Sequence, residues 1–339
     1  MTDEVESRPP VFILLSTWNG AGYLGQLIAS ICAQRDANWR VLARDDGSSD
    51  VTRQILKSWA DQDERVTLVQ DDSGRLGSTA SFALLMRLAL ENHAMYFAFC
   101  DQDDLWHEAK LEHLRQRIGL LEQGQPEARP ALVWSDLRWI DDQGRVLAPS
   151  HFRSCGGGVA LSGGGLWMLA MNLIPGCAML GNRALLEMVS PTATAVSHHD
   201  WWAALVASAC GRTGVVQHAL TDYRLHDANQ IGAATLNARL IGSLRAPLRA
   251  LARSTETYWE AVDNAHRLAC LDAPMPDQRW QWAIQHVCSA LGASSAWHRI
   301  VGVIAGPVHR VGFLRNIQML LAAVYAPPGA RPLRSPLVR

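Results

Sequence analysis

The sequence has no closely spaced pair of cysteines. Its seven, at 32, 100, 155, 177, 210, 270 and 288, never come closer than 18 residues. That excludes a C-x-x-C metal or redox motif, and an odd, scattered set predicts reduced thiols in a cytoplasmic chain. No apolar run approaches the roughly 18–20 residues needed to span a bilayer. The opening MTDEVESRPP is polar and acidic, so no secretory signal is expected. Charge is also sparse: 19% charged against 48% hydrophobic excludes a disordered, collagen-like or coiled-coil protein. The 339 residues predict one large α/β domain, or one domain with an appendage.

Acidic residues run out along the chain. Residues 1–230 hold 19 Lys+Arg against 27 Asp+Glu, whereas residues 231–339 hold 12 arginines against 5 acids. Beyond Asp277 there are seven arginines and no acid. An acidic body with a basic tail predicts that the tail faces something anionic.

Short apolar runs alternate with helical periods over the first 140 residues. VFILLST (11–17), WRVLARD (39–45), RVTLVQD (65–71) and MYFAFCD (95–101) read as strands buried on both faces of a parallel sheet. Between them, Leu24, Leu27, Ile28 and Ile31 share a helix face, as do Phe82, Leu85, Met86 and Ala89, and Leu111, Leu114, Ile118 and Leu121. The order predicts right-handed crossovers and a doubly wound α/β sheet. ALVWSDLRWI (131–140), the turn DDQG and RVLA predict a hairpin, an antiparallel addition to the sheet. GGGVALSGGG (156–165) reads either as a connector or as a lid. A helix is expected over 199–210, and from about 233 the chain reads as wholly helical. The expected division is 1–232 and 233–339.

In an open parallel sheet, ligands bind beyond the carboxyl ends of the strands. The polar residues of this chain gather there: Thr17 and Asn19 after the first strand, Asp45 and Asp46 after the second, Asp71 and Asp72 after the third, and Asp101, Asp103 and Asp104 after the fourth. Asp50 reads as a helix cap. Clustered carboxylates repel unless a cation or hydrogen-bond donors sit among them, and hard oxygen ligands on a short loop suit Mg²⁺ or Mn²⁺ carrying a phosphate. The sequence lacks a phosphate-binding glycine loop: STWNGAGYLG is neither G-x-x-x-x-G-K-[ST] nor G-x-G-x-x-G in register. P-loop NTPases and dinucleotide oxidoreductases are disfavoured, and a diphosphate held by metal points to nucleotide-sugar chemistry.

Four segments of 11–119 carry a family likeness: LLSTWNGAGYLGQLIASICAQ, DDGSSD, RLGSTASF and FCDQDDLWHEAKL. They resemble family 2 glycosyltransferases of GT-A fold. NLIPGCAML (172–180), HHDWWAALVA (198–207) and YRLHDANQIG (223–232) resemble the rhamnosyltransferase-like branch, so the likeness covers about 1–232. It implies that Thr17 and Asp46 contact the base, with Asn19 beside them, and that Asp46 accepts from a pyrimidine N3–H. Asp101 would meet the ribose or sugar, Asp103 would bind the metal, Asp200 would be the catalytic base, and His226 would lie near the diphosphate. Arg75 stands where relatives often carry Asn. The implied reaction moves a sugar, L-rhamnose from dTDP-rhamnose or a hexose from a UDP-sugar, to a hydroxyl of a cell-surface polysaccharide or lipid-linked glycan.

The chemistry agrees with that allocation. Inversion needs one general base for the acceptor hydroxyl and electrostatic relief for the departing diphosphate, which a metal supplies. The base must come from a different segment than D-x-D, as Asp200 does; alternatively Asp200 is only a helix-terminal charge. Trp106, Trp201 and Trp202 are either sugar-stacking faces or core. His198 and His199, adjacent on a helix, do not suit zinc. A lone His226 can also be structural, and Gly176 predicts a close backbone approach. A nucleotidyltransferase would need a basic glycine-rich loop near residue 20, and a non-catalytic binding protein should lack Asp103 or Asp200. In the tail, Val311, Leu314, Ile317, Leu321 and Val324 share a helix face that suits either peripheral contact with the inner face of the cytoplasmic membrane or packing on protein. Nucleic-acid binding is not expected.

Overall fold

A computed structural model describes residues 8–124, 128–155, 165–225 and 247–325. Two compact units divide the chain: Met1–His151, Ile174–Ala203 and Arg212–Gly232 form the first, and Phe152–Leu173, Ala204–Gly211 and Ala233–Arg339 the second.

The first unit is a mixed sheet with helices. Its elements run β1 (Val11–Thr17), α1 (Ala21–Cys32), β2 (Trp39–Asp45), α2 (Thr52–Gln62), β3 (Val66–Leu68), α3 (Ser78–Glu91), β4 (Tyr96–Asp101), β5 (Leu105–Trp106), α4 (Lys110–Glu122), β6 (Ala131–Ile140) and β7 (Val146–Ala148). After these come β8 (Met179–Asn182), α5 (Arg183–Val189), α6 (His199–Cys210) and β9 (Arg212–Arg224). The strand order is β3-β2-β1-β4-β8-β6-β9-β5, with β7 paired to β6. Strands β1 to β4 are mutually parallel, as the alternation of apolar runs and helices requires, and β1 and β2 fall where the sequence placed them. The buried faces of the helices are also those expected: Leu24, Leu27 and Ile31 on α1, Phe82, Leu85, Met86 and Ala89 on α3, Leu111, Leu114 and Ile118 on α4.

The antiparallel addition is larger than a hairpin. Strand β6 pairs antiparallel with β7, as expected, but β8 is inserted antiparallel between β4 and β6. The 13-residue β9, which the sequence reading left unassigned, runs parallel to β6. Its signal is weak for a physical reason: the register slips twice, around Ser135, Asp136 and Leu137, so no period-2 alternation survives along RTGVVQHALTDYR. Strand β3 is shorter than the 65–71 expected, because Val69 to Asp71 leave the sheet to build the loop described below.

The second unit is helical in its described part, with α7 (Pro247–Ala269), α8 (Gln278–His286), α9 (Ala296–Ala305) and α10 (Phe313–Tyr325). The core includes Tyr258, Trp259, Val262, Ala265 and Leu268 of α7, Trp280, Ala283 and Ile284 of α8, and Met319, Ala322 and Ala323 of α10. No described helix is long and apolar enough to cross a membrane. The glycine-rich residues 156–164 and His226 lie outside the described residues.

Candidate active site

The carboxyl ends of β1, β2 and β4 converge, as strand order predicts. At β2, Arg44 is buried and organises the loop beyond β3. Its guanidinium donates to Asp71 (Nε–Oδ2 2.9 Å, Nη2–Oδ1 3.2 Å), to Asp46 Oδ1 (2.5 Å), to Ser81 Oγ (2.7 Å) and to the Gly74 carbonyl (2.7 Å). Asp46 in turn accepts from the Leu76 amide (2.6 Å), the Gly77 amide (2.8 Å) and Ser81 Oγ (3.1 Å). Burial acts to raise the Asp46 pKa. The Leu76, Arg44 and Gly77 donors outweigh it and hold the group below the ordinary carboxylate range. Of its two oxygens, Oδ2 accepts only the Gly77 amide among these bonds, so it keeps the spare capacity for a ligand N–H.

Two sequence-named residues at β1 play different parts. Thr17 is buried, and its hydroxyl faces the Arg44 carbonyl and Asp45 Oδ1, each at 3.3 Å, so its side chain is spent on protein rather than left for a base. Asn19 is exposed, with φ 49°, and its Oδ1 accepts the Ser49 amide at 2.8 Å. Asp50 receives the Thr52 amide (3.0 Å) and the Ala21 amide (3.2 Å), which ties the starts of α1 and α2 together. Between Thr17 and Asn19 stands Trp18, an exposed ring with the Arg75 guanidinium 3.8 Å from its centroid. That contact gives Arg75 a partner. The Trp18 backbone is clamped by Gln102, whose Oε1 accepts the amide (2.7 Å) and whose Nε2 donates to the carbonyl (2.9 Å).

At β4, Asp101 and Asp103 are partly exposed while Asp104 is buried. Desolvation, then the charges of Asp103 and Asp200, push the Asp101 pKa up to about 7. Residues 99 positions apart in sequence are thus electrostatic neighbours, so the D-x-D segment and the start of α6 form one site. Ligand atoms of Asp101, Asp104 and Cys177 lie within 4.8 Å of one another, a set that does not contain Asp103. Two members of that set belong to a sealed network. Asp104 and Cys177 are buried, and Lys110, one of only two lysines in the chain, is buried beside them. Its Nζ donates to the Cys177 carbonyl at 2.5 Å and sits 3.5 Å from the Trp106 ring centroid. Burial pushes the Cys177 thiol well up, so it is no nucleophile. A cation reachable by a diphosphate therefore fits the open pair, Asp101 and Asp103. The donor set is hard oxygen, and the like charges of Asp101 and Asp103 favour a cation beside them.

Asp200 stands in the first turn of α6 and is partly exposed. It accepts the Gly176 amide (3.2 Å) and the Trp201 amide (2.7 Å). A Cβ built on Gly176 would lie 3.3 Å from Asp200 Cβ and 3.3 Å from His199 Nε2, which is the close approach that the glycine predicts. His199 stacks on Phe82 at 4.0 Å and meets Phe99 edge-on at 4.6 Å. Desolvation there pushes its pKa down to about 4, which makes it a neutral packing ring. Trp201 and Trp202 correct the sequence reading: at 2% and 1% exposed they are core and offer no face to a sugar. The same holds for buried Trp106, whose ring carries Lys110.

Arg224 is the residue that sequence reasoning overlooked. It is buried, and it donates through Nε to the Asp103 carbonyl (3.0 Å), through Nη1 to the Asp141 (3.1 Å) and Asp142 (3.0 Å) carbonyls, and through Nη2 to Gln26 Oε1 (2.8 Å). Its amide also donates to Asp104 Oδ1 at 3.2 Å. The end of β9 thereby fixes the backbone of the D-x-D segment. Its place in Y-R-x-H was the available signal.

The mixed sheet followed by a helical region is a GT-A-like fold. Residues 12–122 match the family model described as Glycosyl transferase family 2. Among curated relatives, the putative teichuronic acid biosynthesis glycosyltransferase TuaG of Bacillus subtilis (strain 168) is 32% identical over 106 residues, 31% of this chain and 40% of that protein. The UDP-Glc:alpha-D-GlcNAc-diphosphoundecaprenol beta-1,3-glucosyltransferase WfgD of Escherichia coli is 31% identical over 102 residues, 30% of this chain and 38% of that protein. The aligned part thus spans well under two thirds of these relatives. Among solved structures, the mannosyltransferase PcManGT of Pyrobaculum calidifontis, in complex with GDP-Man and Mn²⁺, has TM-score 0.56 at 16% identity, covering 95% of this chain and 86% of that one. S. aureus TarS 1-349 in complex with UDP-GlcNAc has TM-score 0.53 at 14% identity, covering 93% and 90%. At such identities the likeness is one of fold.

Proposed function

We propose that this chain transfers a sugar from a nucleoside diphosphate donor to a hydroxyl of a cell-envelope glycan, with inversion at the anomeric carbon. The observation that carries the reading is that Asp200 sits beside the β4 end that carries Asp101, since a Cβ built on Gly176 would lie 3.3 Å from Asp200 Cβ and 3.5 Å from Phe99 Cβ. Asp46 Oδ2 accepts from the base, with Asn19 at the edge of the same site. Asp101 and Asp103 hold a divalent cation, Mg²⁺ or Mn²⁺, which when bound offsets charge on the leaving diphosphate. Lys110, behind them, offsets part of the negative charge of Asp101 from inside the protein. Asp200 takes the proton of the attacking hydroxyl. Its two backbone donors hold the carboxylate in one orientation, which general-base catalysis requires. The rhamnosyl donor expected from the branch likeness and a UDP-hexose are the candidates to compare. His226 near the diphosphate remains part of the proposal on the sequence likeness alone.

The two carboxylate roles separate by experiment. Asp103→Asn should abolish metal-dependent donor binding in calorimetry. Asp200→Asn should keep donor affinity and lose transfer by about 10²–10⁴-fold. Normal transfer by Asp200→Asn would remove it from the mechanism.

A further inference from the structure

The helical unit turns its bulky apolar residues outward. On α10, the buried positions are Met319, Ala322 and Ala323, together with Arg315. Phe313, Ile317, Leu321 and Val324, spaced four, four and three apart, are exposed, Phe313 by 80%. On α9, which packs against α10, Gly302 and Val303 are buried, whereas Trp297, Val301 and Ile304 are exposed, Trp297 by 69% and Ile304 by 67%. A helix of a solvated surface carries the opposite pattern, with charged residues outward. Among the exposed positions described on these two helices, only Trp297, His298 and Tyr325 bear a polar side-chain atom, and none is an acid, lysine or arginine.

The arginines that suggested a basic helix do not reach this face. Arg299 is buried and donates to the carbonyls of Ala323 (2.8 Å), Ala293 (2.8 Å) and Ser294 (2.7 Å). Arg310 donates to the Ala170 carbonyl (3.2 Å) and to Ser254 Oγ (2.9 Å), and Arg315 to the carbonyls of Cys155 (2.8 Å) and Val311 (3.0 Å). The expectation that these arginines meet an anionic partner is therefore corrected: they bind backbone carbonyls inside the unit. The positive charge left over lies in the sequence directly after α10, where Arg331, Arg334 and Arg339 occur without any acid.

We propose that the α9–α10 face docks on an anionic lipid surface, its aromatic and aliphatic side chains entering the headgroup boundary. Two observations choose lipid over a protein partner. The exposed positions described on α9 and α10 carry no Asp, Glu, Lys or Arg, and no acid occurs from Gln278 to Arg339, which suits an anionic surface. The proposal stands apart from the donor site, so it holds or fails without reference to transfer.

The test is flotation of the full chain with vesicles of phosphatidylcholine and phosphatidylglycerol, and with phosphatidylcholine alone, in the absence of donor. The exposed pair Ile304→Glu and Leu321→Glu should cut the vesicle-bound fraction by about tenfold or more, with an unchanged thermal midpoint. The control pair Val146→Glu and Leu147→Glu, exposed on β7, should float as the unsubstituted chain does. Failure of the unsubstituted chain to float, equal flotation on both vesicle types, or flotation of the Ile304→Glu/Leu321→Glu chain would each overturn the proposal. So would a dimer that this pair converts to monomer without any vesicle binding, because a second copy would then cover the face.

Discussion

Both units bury arginines, but they give them different partners. In the sheet unit, Arg44 meets Asp46 and Asp71, and Arg115 meets Asp36 at 2.6 Å, while Arg224 departs from this pattern by donating to backbone carbonyls and Gln26. In the helical unit, Arg299 and Arg315 donate to backbone carbonyls, and Arg310 to a carbonyl and a serine. The first arrangement consumes charge in pairs inside the sheet unit. The second uses each cation as a multivalent donor that fastens loops and helix ends, and leaves the exposed positions described on α9 and α10 without charge. Net charge along a sequence is thus a poor guide to which surface is charged. The acidic half has an acidic site, but the basic half hides several of its arginines.

That contrast can be broken in the sheet unit first. Arg44→Met strips the guanidinium from two carboxylates and should lower stability by about 3–5 kcal/mol, read as a fall in the urea midpoint at pH 7. Asp46 and Asp71 have folded pKa values depressed below the unfolded value, near 3.9 for Asp. Their contribution is therefore present above that value and lost as pH falls through the folded pKa. The unsubstituted chain should lose stability below about pH 4, and Arg44→Met should lose less on the same descent.

Arg299→Met sharpens the other side. Three carbonyls lose a donor, and the expected loss is about 2–3 kcal/mol. No carboxylate takes part, so the deficit should be equal at pH 7 and pH 4. A deficit that shrinks with acid would place an acid near Arg299 and undo the contrast.

The smallest effect tests positioning at the active site. Gly176→Ala sets a methyl against Asp200 and His199, which must give by a few tenths of an ångström. We expect about a tenfold lower kcat with KM little changed, since the carboxylate shifts while the donor site stays intact. An unchanged kcat would mean that the Asp200 position tolerates this displacement.

Much of the first unit was legible because short-range physics encodes it. Strands β1, β2 and β6 are continuous apolar runs ended by turn residues, and their bounds follow from the residues alone. The acids at the strand ends were legible for the same reason. Strand β9 was not, because its bulged register removes the alternation that marks a strand. Arg44 and Arg224 were not, because their meaning lies in partners up to 198 residues away. Trp201 and Trp202 show the limit most plainly: a tryptophan beside a candidate-site carboxylate has the same sequence whether it stacks on a sugar or fills the core. The tail arginines were misread likewise, since charge is visible in sequence and burial is not.

The most direct test of the central claim is release of nucleoside diphosphate from a panel of donors, dTDP-rhamnose and UDP-hexoses among them, with Mn²⁺, Mg²⁺ or EDTA and a mixture of envelope glycan acceptors. The account predicts release from a single donor, dependent on the divalent cation and abolished by Asp103→Asn. Silence across the panel, together with calorimetry detecting no donor binding, would contradict it.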